Sequence, residues 1–265
     1  MLHSKYCCTM RVLLYLLLLF VLPVLASAQQ NTAGRVTYTE TIKLQIEIPE
    51  AQREAMKGML PSEQKSQKVL TFNEKAALYQ NADAADAGDL KVEHEEEGAQ
   101  VNIVIKAPQV MQYTDLNTGK WLRAEEFFGR DFLISGGDKA LEWKLTGEQK
   151  QIGAHLCQKA SLQDSTQQVV AWFAPAIPVS VGPGSFGHLP GLILELEMDK
   201  GQRSIRADKV ELKAVADSEI AKPTKGKSVT EAEFKKIRDE KLKEMGIEAG
   251  SGPKVRMIIQ NDERH

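Results

Sequence analysis

From Val36 to Ile48 the chain alternates. Val36, Tyr38, Ile42, Leu44, Ile46 and Ile48 share one parity, while Thr37, Thr39, Thr41, Lys43, Gln45 and Glu47 share the other. Successive side chains of a strand point to opposite faces, so the pattern predicts a long antiparallel strand with one dry and one wet face. Glu40 is the single violation, a carboxylate on the apolar parity. After Pro49 the period changes. Helix formers from Glu50 to Leu60, ended by Pro61, predict a short helix near 50–60.

Short strands are expected next at 68–72, 75–80, 100–106, 110–115, 120–124 and 131–134. Asn73-Glu74, Asn117-Thr118-Gly119 and Gly136-Gly137-Asp138 read as hairpin turns between them. Asn81 to Gly98 is rich in Ala, Asp and Glu and offers little to bury, so it reads as a mobile acidic loop near 81–98. A second strand group is expected at 141–146, 151–162, 167–174, 192–199 and 204–214. In its last member the apolar parity slips from Ile205 and Ala207 to Val210 and Leu212, which predicts a bulge near Asp208-Lys209. One clear helix follows. Thr230 and Glu233 have capping-box spacing, Phe234, Ile237, Leu242 and Met245 make an apolar stripe, and Gly246 is the stop. A final strand is expected at 255–260.

The N-terminal pattern is of another kind. Lys5 and Arg11 precede an apolar run from Val12 to Leu25, and Ala26-Ser27-Ala28 is a small-x-small exit. These are the three parts of a secretory signal peptide, too short in the apolar run for a membrane span. The expectation is an exported, periplasmic or secreted protein cleaved after Ala28, started at Met1 or at Met10. The mature chain is then expected to be one domain, 29–265, without a membrane span. Loss of Lys5 and Arg11 moves a formal charge of −2 two units further negative, which argues against nucleic acid as a partner. Cys7 and Cys8 leave with the signal, so Cys157 has no disulfide partner and reads as a small buried apolar side chain.

Candidate chemistry gathers around residues 182–194. Gly182 to Gly187 spells G-x-G-x-x-G, but Pro190, Gly191 and a strand follow where a phosphate loop needs a helix. Pro183-Gly184-Ser185-Phe186-Gly187 nearly matches a nucleophile elbow, and His188 is close by, yet the strand-to-helix turn is missing. His155 and Cys157 share a strand face, and two ligands do not make a metal site. Glu125-Glu126 and Glu195/Glu197 read as solvated carboxylates. The large aromatics Trp121, Phe127, Phe128, Phe132, Trp143, Trp172 and Phe173 read as core. Phe186, on a glycine loop at the mouth of a strand, is the aromatic best placed to meet a ligand.

Phe186-Gly187-His188-Leu189-Pro190-Gly191-Leu192-Ile193-Leu194 resembles the signature of the GLPGLI family, cell-envelope proteins of one group of Gram-negative bacteria. The blocks 123–134, 143–148, 152–160, 171–183 and the helix 231–245 are similar to that family in the same order. His188 stands where the family has the first glycine of its motif, and His155 where Gly-Tyr is expected before the cysteine. The resemblance implies an envelope location and a β-rich domain, and brings no catalytic residue or activity. At the level of fold alone, the layout also resembles half-barrel lipoprotein carriers.

The expected class is α+β: an antiparallel β-rich curved sheet, half-barrel-like, with a short helix near 50–60 and a C-terminal helix near 230–245. The expected function is a non-catalytic binding or carrier protein for an apolar ligand or an envelope partner. Phe186, Gly187, His188, Leu189, Pro190 and Gly191 are the candidate ligand residues, with no cofactor and no metal. An envelope assembly protein, and a hydrolase using Ser185 and His188 or Cys157, are the alternatives.

Overall fold

The alternation that begins at Gly34 becomes a ten-residue strand, β1 (Gly34–Lys43), buried at every inner position from Gly34 to Ile42. The computed structural model describes residues 32–47, 61–82, 88–96, 99–105, 109–137, 141–162, 168–245 and 254–256. The expected signal segment, the expected helix near 50–60 and Gly246 lie outside the described residues.

After β1 come β2 (Gln45–Glu47), β3 (Glu63–Phe72), β4 (Ala76–Asn81), β5 (Leu90–Glu96), β6 (Ala99–Ile105), β7 (Met111–Asp115) and β8 (Lys120–Phe127). Then follow β9 (Arg130–Gly137), β10 (Trp143–Ile152), β11 (His155–Leu162), β12 (Val169–Ala174), β13 (Leu192–Met198) and β14 (Arg203–Leu212). The chain closes with β15 (Lys227–Thr230), a helix α1 (Glu231–Glu244) and β16 (Lys254–Arg256). Twelve strands form one curved, open sheet in the order β10-β11-β12-β13-β14-β1-β3-β4-β7-β8-β9-β15. Every neighbouring pair is antiparallel except β15 on β9. The fold is mostly β, with α1 at its C-terminal side.

Several expectations hold in detail. The slip in β14 is a bulge at Asp208: Thr37 pairs with Lys209 and Tyr38 with Ala207. The Asp208 carboxylate accepts from Thr39 Oγ1 at 2.7 Å. The helix start is the expected capping box, with Glu233 N–H donating to Thr230 Oγ1 and Thr230 N–H donating to the Glu233 carboxylate. Two expectations are corrected. The stretch read as an acidic loop carries β5, whose strand pairs with β6 from Leu90–Ile105 to Glu96–Ala99. Gly136-Gly137 is no hairpin turn but the end of β9. Gly136 pairs with Trp121, and a Cβ there would collide with the indole.

The main core lies on the inner face of β1, β3 and β11–β14, and it is completed by the connection from β12 to β13. That connection, residues 175–191, folds back so that Ile177, Val179, Val181 and Leu189 join Val36, Tyr38 and Leu70. Backbone bonds hold it: Leu192 N–H to Ile177 O at 3.0 Å and Ile193 N–H to Val181 O at 3.0 Å. Tyr38 Oη donates to Ile193 O at 2.7 Å, and Trp143 Nε1 donates to Gly187 O at 2.8 Å. A second core of Trp121, Phe132, Ile134, Val229 and Phe234 seats α1.

Glu40 is resolved as a buried ion cluster on the same inner face. Its carboxylate lies 2.5 Å from Arg203 Nε and 3.6 Å from Lys68 Nζ, and Lys68 Nζ also donates to Asn81 Oδ1 at 3.0 Å. Glu40 and Lys68 are 1% and 0% exposed, so each carries a desolvation cost that the opposite charges and the Asn81 hydrogen bond offset.

These enclosed groups predict an alkaline limit. Burial raises the phenol of Tyr38, and raises that of Tyr79 with help from the Glu40 charge. Burial also pushes the Cys157 thiol up to about 11 and lowers the Lys68 ammonium. A raised acid keeps its proton in the fold while the unfolded chain loses it, so stability falls with pH through that window. A lowered lysine does the reverse up to its unfolded value near 10.4. Cys157 and Lys68 therefore act in opposite directions below that value, and above about pH 10.5 only losses remain, roughly 1.4 kcal/mol per pH unit per phenol. Urea midpoints measured against pH should stay level and then drop steeply. An even decline starting near neutrality would contradict this account.

Candidate functional site

Residues 180–188 cross the inner face of β4, β7 and β8, and between loop and sheet lies a cavity of about 210 Å³. Tyr79 (β4), Gln112 (β7) and Trp121 (β8) line it from the sheet, Phe186 and His188 from the loop, and Glu231 from the first residue of α1. Five separate parts of the chain, three strands, the loop and α1, thus meet at one place.

The loop takes this path for local reasons. An added Cβ at Gly187 would lie 2.8 Å from Ser180 O, and one at Gly182 would lie 2.8 Å from both the Ile193 side chain and Phe186 O. The bare backbone lets the chain double back on itself. His188 adopts φ +66° with its N–H donating to Ser180 O at 3.2 Å. The left-handed conformation costs a non-glycine residue of order 1 kcal/mol, so this chain carries strain at a position that glycine would occupy freely.

The candidate ligand residues therefore divide. Phe186, Gly187 and His188 are on the cavity wall. Leu189 is in the core, Gly191 packs against the backbone of Ala174, and Pro190 faces solvent away from the lining. The sheet side of the cavity escaped the sequence reading. Its one visible signal was a polar inner parity in β7, where Gln112 and Thr114 occupy positions a strand facing a core would give to apolar residues.

Tyr79 and Gln112 are both only 3% exposed. Tyr79 Oη and Gln112 Nε2 make no hydrogen bond among the described residues. Native interiors pair nearly all such atoms, and each left unpaired costs about 1–3 kcal/mol. Burial first, then the Glu40 charge, holds the Tyr79 phenol well above its usual range, so it remains an O–H donor.

The other candidate groups lie elsewhere or lack the geometry for chemistry. Cys157 is fully enclosed on β11, with Sγ 3.6 Å from His155 O as its acceptor. A thiol at about 11 is thiolate in only about one molecule in 10⁴ at neutral pH. Among the described residues no group of three or more His, Cys, Asp or Glu side chains could hold a metal ion. Ser185 and His188 both reach the cavity wall, from a loop between two strands and not from a strand-to-helix turn. Glu195 is not a solvated carboxylate: it pairs with Lys150 at 2.6 Å and Arg206 at 3.6 Å on the outer face. Trp172 is half-buried at the margin of the main core, with Lys150 Nζ 4.3 Å above its ring. Phe128 is not core; it is 52% exposed, at φ +50° in the turn between β8 and β9.

A family model described as a protein of unknown function (Porph_ging) matches residues 163–195, which contain the block 171–183 and the Leu-Pro-Gly-Leu-Ile strand entry and leave out the other similar blocks. No functionally curated protein matches the chain. Among solved structures the chain is similar to PNGF-II, determined in a P21 and a C2 crystal form. Identity is 14% in both, with TM-scores of 0.49 and 0.51, over 78% and 77% of this chain. The chain spans 33% and 32% of those longer chains, so the likeness is one of fold over about a third of their length.

Proposed function

We propose that this chain is an exported, non-catalytic binding protein of the cell envelope, and that the cavity under residues 180–188 is its binding site. The lining carries the reading. Aromatic surface from Tyr79, Trp121 and Phe186 surrounds two enclosed polar groups that no neighbour satisfies. Apolar walls with a few polar groups are the usual composition of small-molecule sites, and the volume is below the roughly 300–1,000 Å³ of drug-sized pockets. The ligand is accordingly small and amphipathic, which narrows the wholly apolar ligand expected from the sequence. In this reading the curved sheet acts as a half-barrel with the loop as its cover, and residues 1–28 direct export.

A second reading, an envelope interaction protein, draws on Phe128. A phenyl ring held out at a left-handed turn position is costly twice over, in exposure and in backbone strain.

Thr114 provides the test. It lines the cavity from the inner face of β7, between its register partners Ala77 and Trp121, and is half-buried, so Thr114→Phe should fill the space with the sheet still paired. Protein purified from the envelope should carry a discrete extra mass in native mass spectrometry, removable by organic solvent. Thr114→Phe should carry none, with a melting temperature within about 3 °C of the parent. A bare parent polypeptide, or an extra mass indifferent to Thr114→Phe, would reject the cavity as the site.

A further inference from the structure

We propose that the ligand of this cavity presents an acyl oxygen, of a carboxamide or carboxylate, to the Tyr79 hydroxyl and the Gln112 side-chain amide. The inference rests on the cavity being the binding site and adds the chemistry of what enters it.

Tyr79 and Gln112 are direct register partners across β4 and β7. Side chains in such a pair leave one face of the sheet about 5 Å apart, so both can reach one ligand atom. Both are on the cavity wall, and both are more than nine-tenths buried. Their unpaired atoms are of one kind. An amide nitrogen can only donate, and a phenol that keeps its proton must place that proton on an acceptor. A carbonyl or carboxylate oxygen has two lone pairs and can accept from both at once.

The surroundings favour that oxygen over a cation. On the far side of Gln112 its register partner is Arg123, whose guanidinium lies 3.1 Å from the Glu125 carboxylate. Among the described lining residues Glu231 is the one carboxylate, and it belongs to α1, not to the strands that carry the unpaired donors; the Glu40 charge that also reaches Tyr79 is set against Lys68 and Arg203. The rest of the ligand meets Leu116, Trp121 and Phe186, which calls for a compact apolar body.

Four probes of one size separate the possibilities: benzamide, benzoate, toluene and benzylammonium. Binding is read by ligand-observed NMR on the exported chain, its Tyr79→Phe variant and its Gln112→Met variant. Benzamide or benzoate should bind at least tenfold tighter than toluene and benzylammonium, and each variant should lose about tenfold for the acyl probe. Each variant should also melt at or above the parent temperature, because each removes a buried unpaired group; a structural hydroxyl or amide would lower it. Equal binding of the acyl probe to parent and variants overturns the inference, as does a preference for toluene or benzylammonium, and both leave the cavity reading intact. Failure of all four probes to bind more tightly than about 1 mM also overturns it. The cavity reading itself is judged separately, by the mass carried in the parent and lost in Thr114→Phe.

Discussion

Gly191→Ala should leave little folded protein. A Cβ at this position would collide with Ala174 O and lie 2.7 Å from Ala174 C and 2.9 Å from Pro175 N. All three are backbone atoms, so no rotamer change relieves the clash. Either the end of β12 or the returning loop must move, and both are fastened to the core. Leu192, Ile193 and Leu194, which follow directly, are fully buried, and Leu192 N–H is bonded to Ile177 O. Overpacking of side chains costs about 1–3 kcal/mol, and a clash with fixed backbone exceeds that, so a melting temperature lower by about 10 °C or more is expected. Gly184→Ala is the control. Gly184 also has positive φ, at +62°, but a Cβ there meets nothing within 4 Å, so the cost should be about 1 kcal/mol. Thermal melts of the two variants that coincide would show that Gly191 is required for its backbone angle and not for close approach.

The second large effect lies in the ion cluster. Glu40→Ala removes the carboxylate 3.6 Å from Lys68, whose side chain has no exposed surface, and leaves the ammonium near the Arg203 charge. Breaking a buried pair from one side costs about 3–5 kcal/mol, because the remaining charge is still desolvated. Adding Lys68→Met should restore a good part of that loss, since Arg203 is 43% exposed and can turn to water. Urea denaturation of the single and double variants measures the coupling. A double variant no more stable than Glu40→Ala alone would mean that the two charges do not compensate each other.

That cluster illustrates what could be read in advance. Glu40 stood out in the sequence as the one polar residue on an apolar parity, and its burial followed from that pattern. Its partners did not. Lys68 and Arg203 come from β3 and β14, strands that neighbour β1 only because the sheet orders them so. The bulge at Asp208 was legible because a phase slip is a local property of one strand. The strand β5 was missed because only Leu90 and Val92 interrupt its charged and polar residues, so its composition resembled that of a loop.

The candidate site divides the same way. Phe186 and His188 lie on a glycine-rich segment whose character is visible from neighbouring residues. Tyr79, Gln112, Trp121 and Glu231 come from positions scattered across more than half of the chain, and nothing local to any of them marks a common destination.

By itself, the sequence determined the strand-rich class, the phase of the long strands, the helix with its cap, and the glycine loop that enters β13. Each of these depends on the preferences of a residue and its near neighbours. Only the tertiary structure decided which strands lie side by side, that the 180–188 loop folds back over β4, β7 and β8, and that two unpaired donors meet on one cavity wall. Those outcomes depend on contacts between residues far apart in the chain, which hydrophobic alternation constrains in face but not in partner.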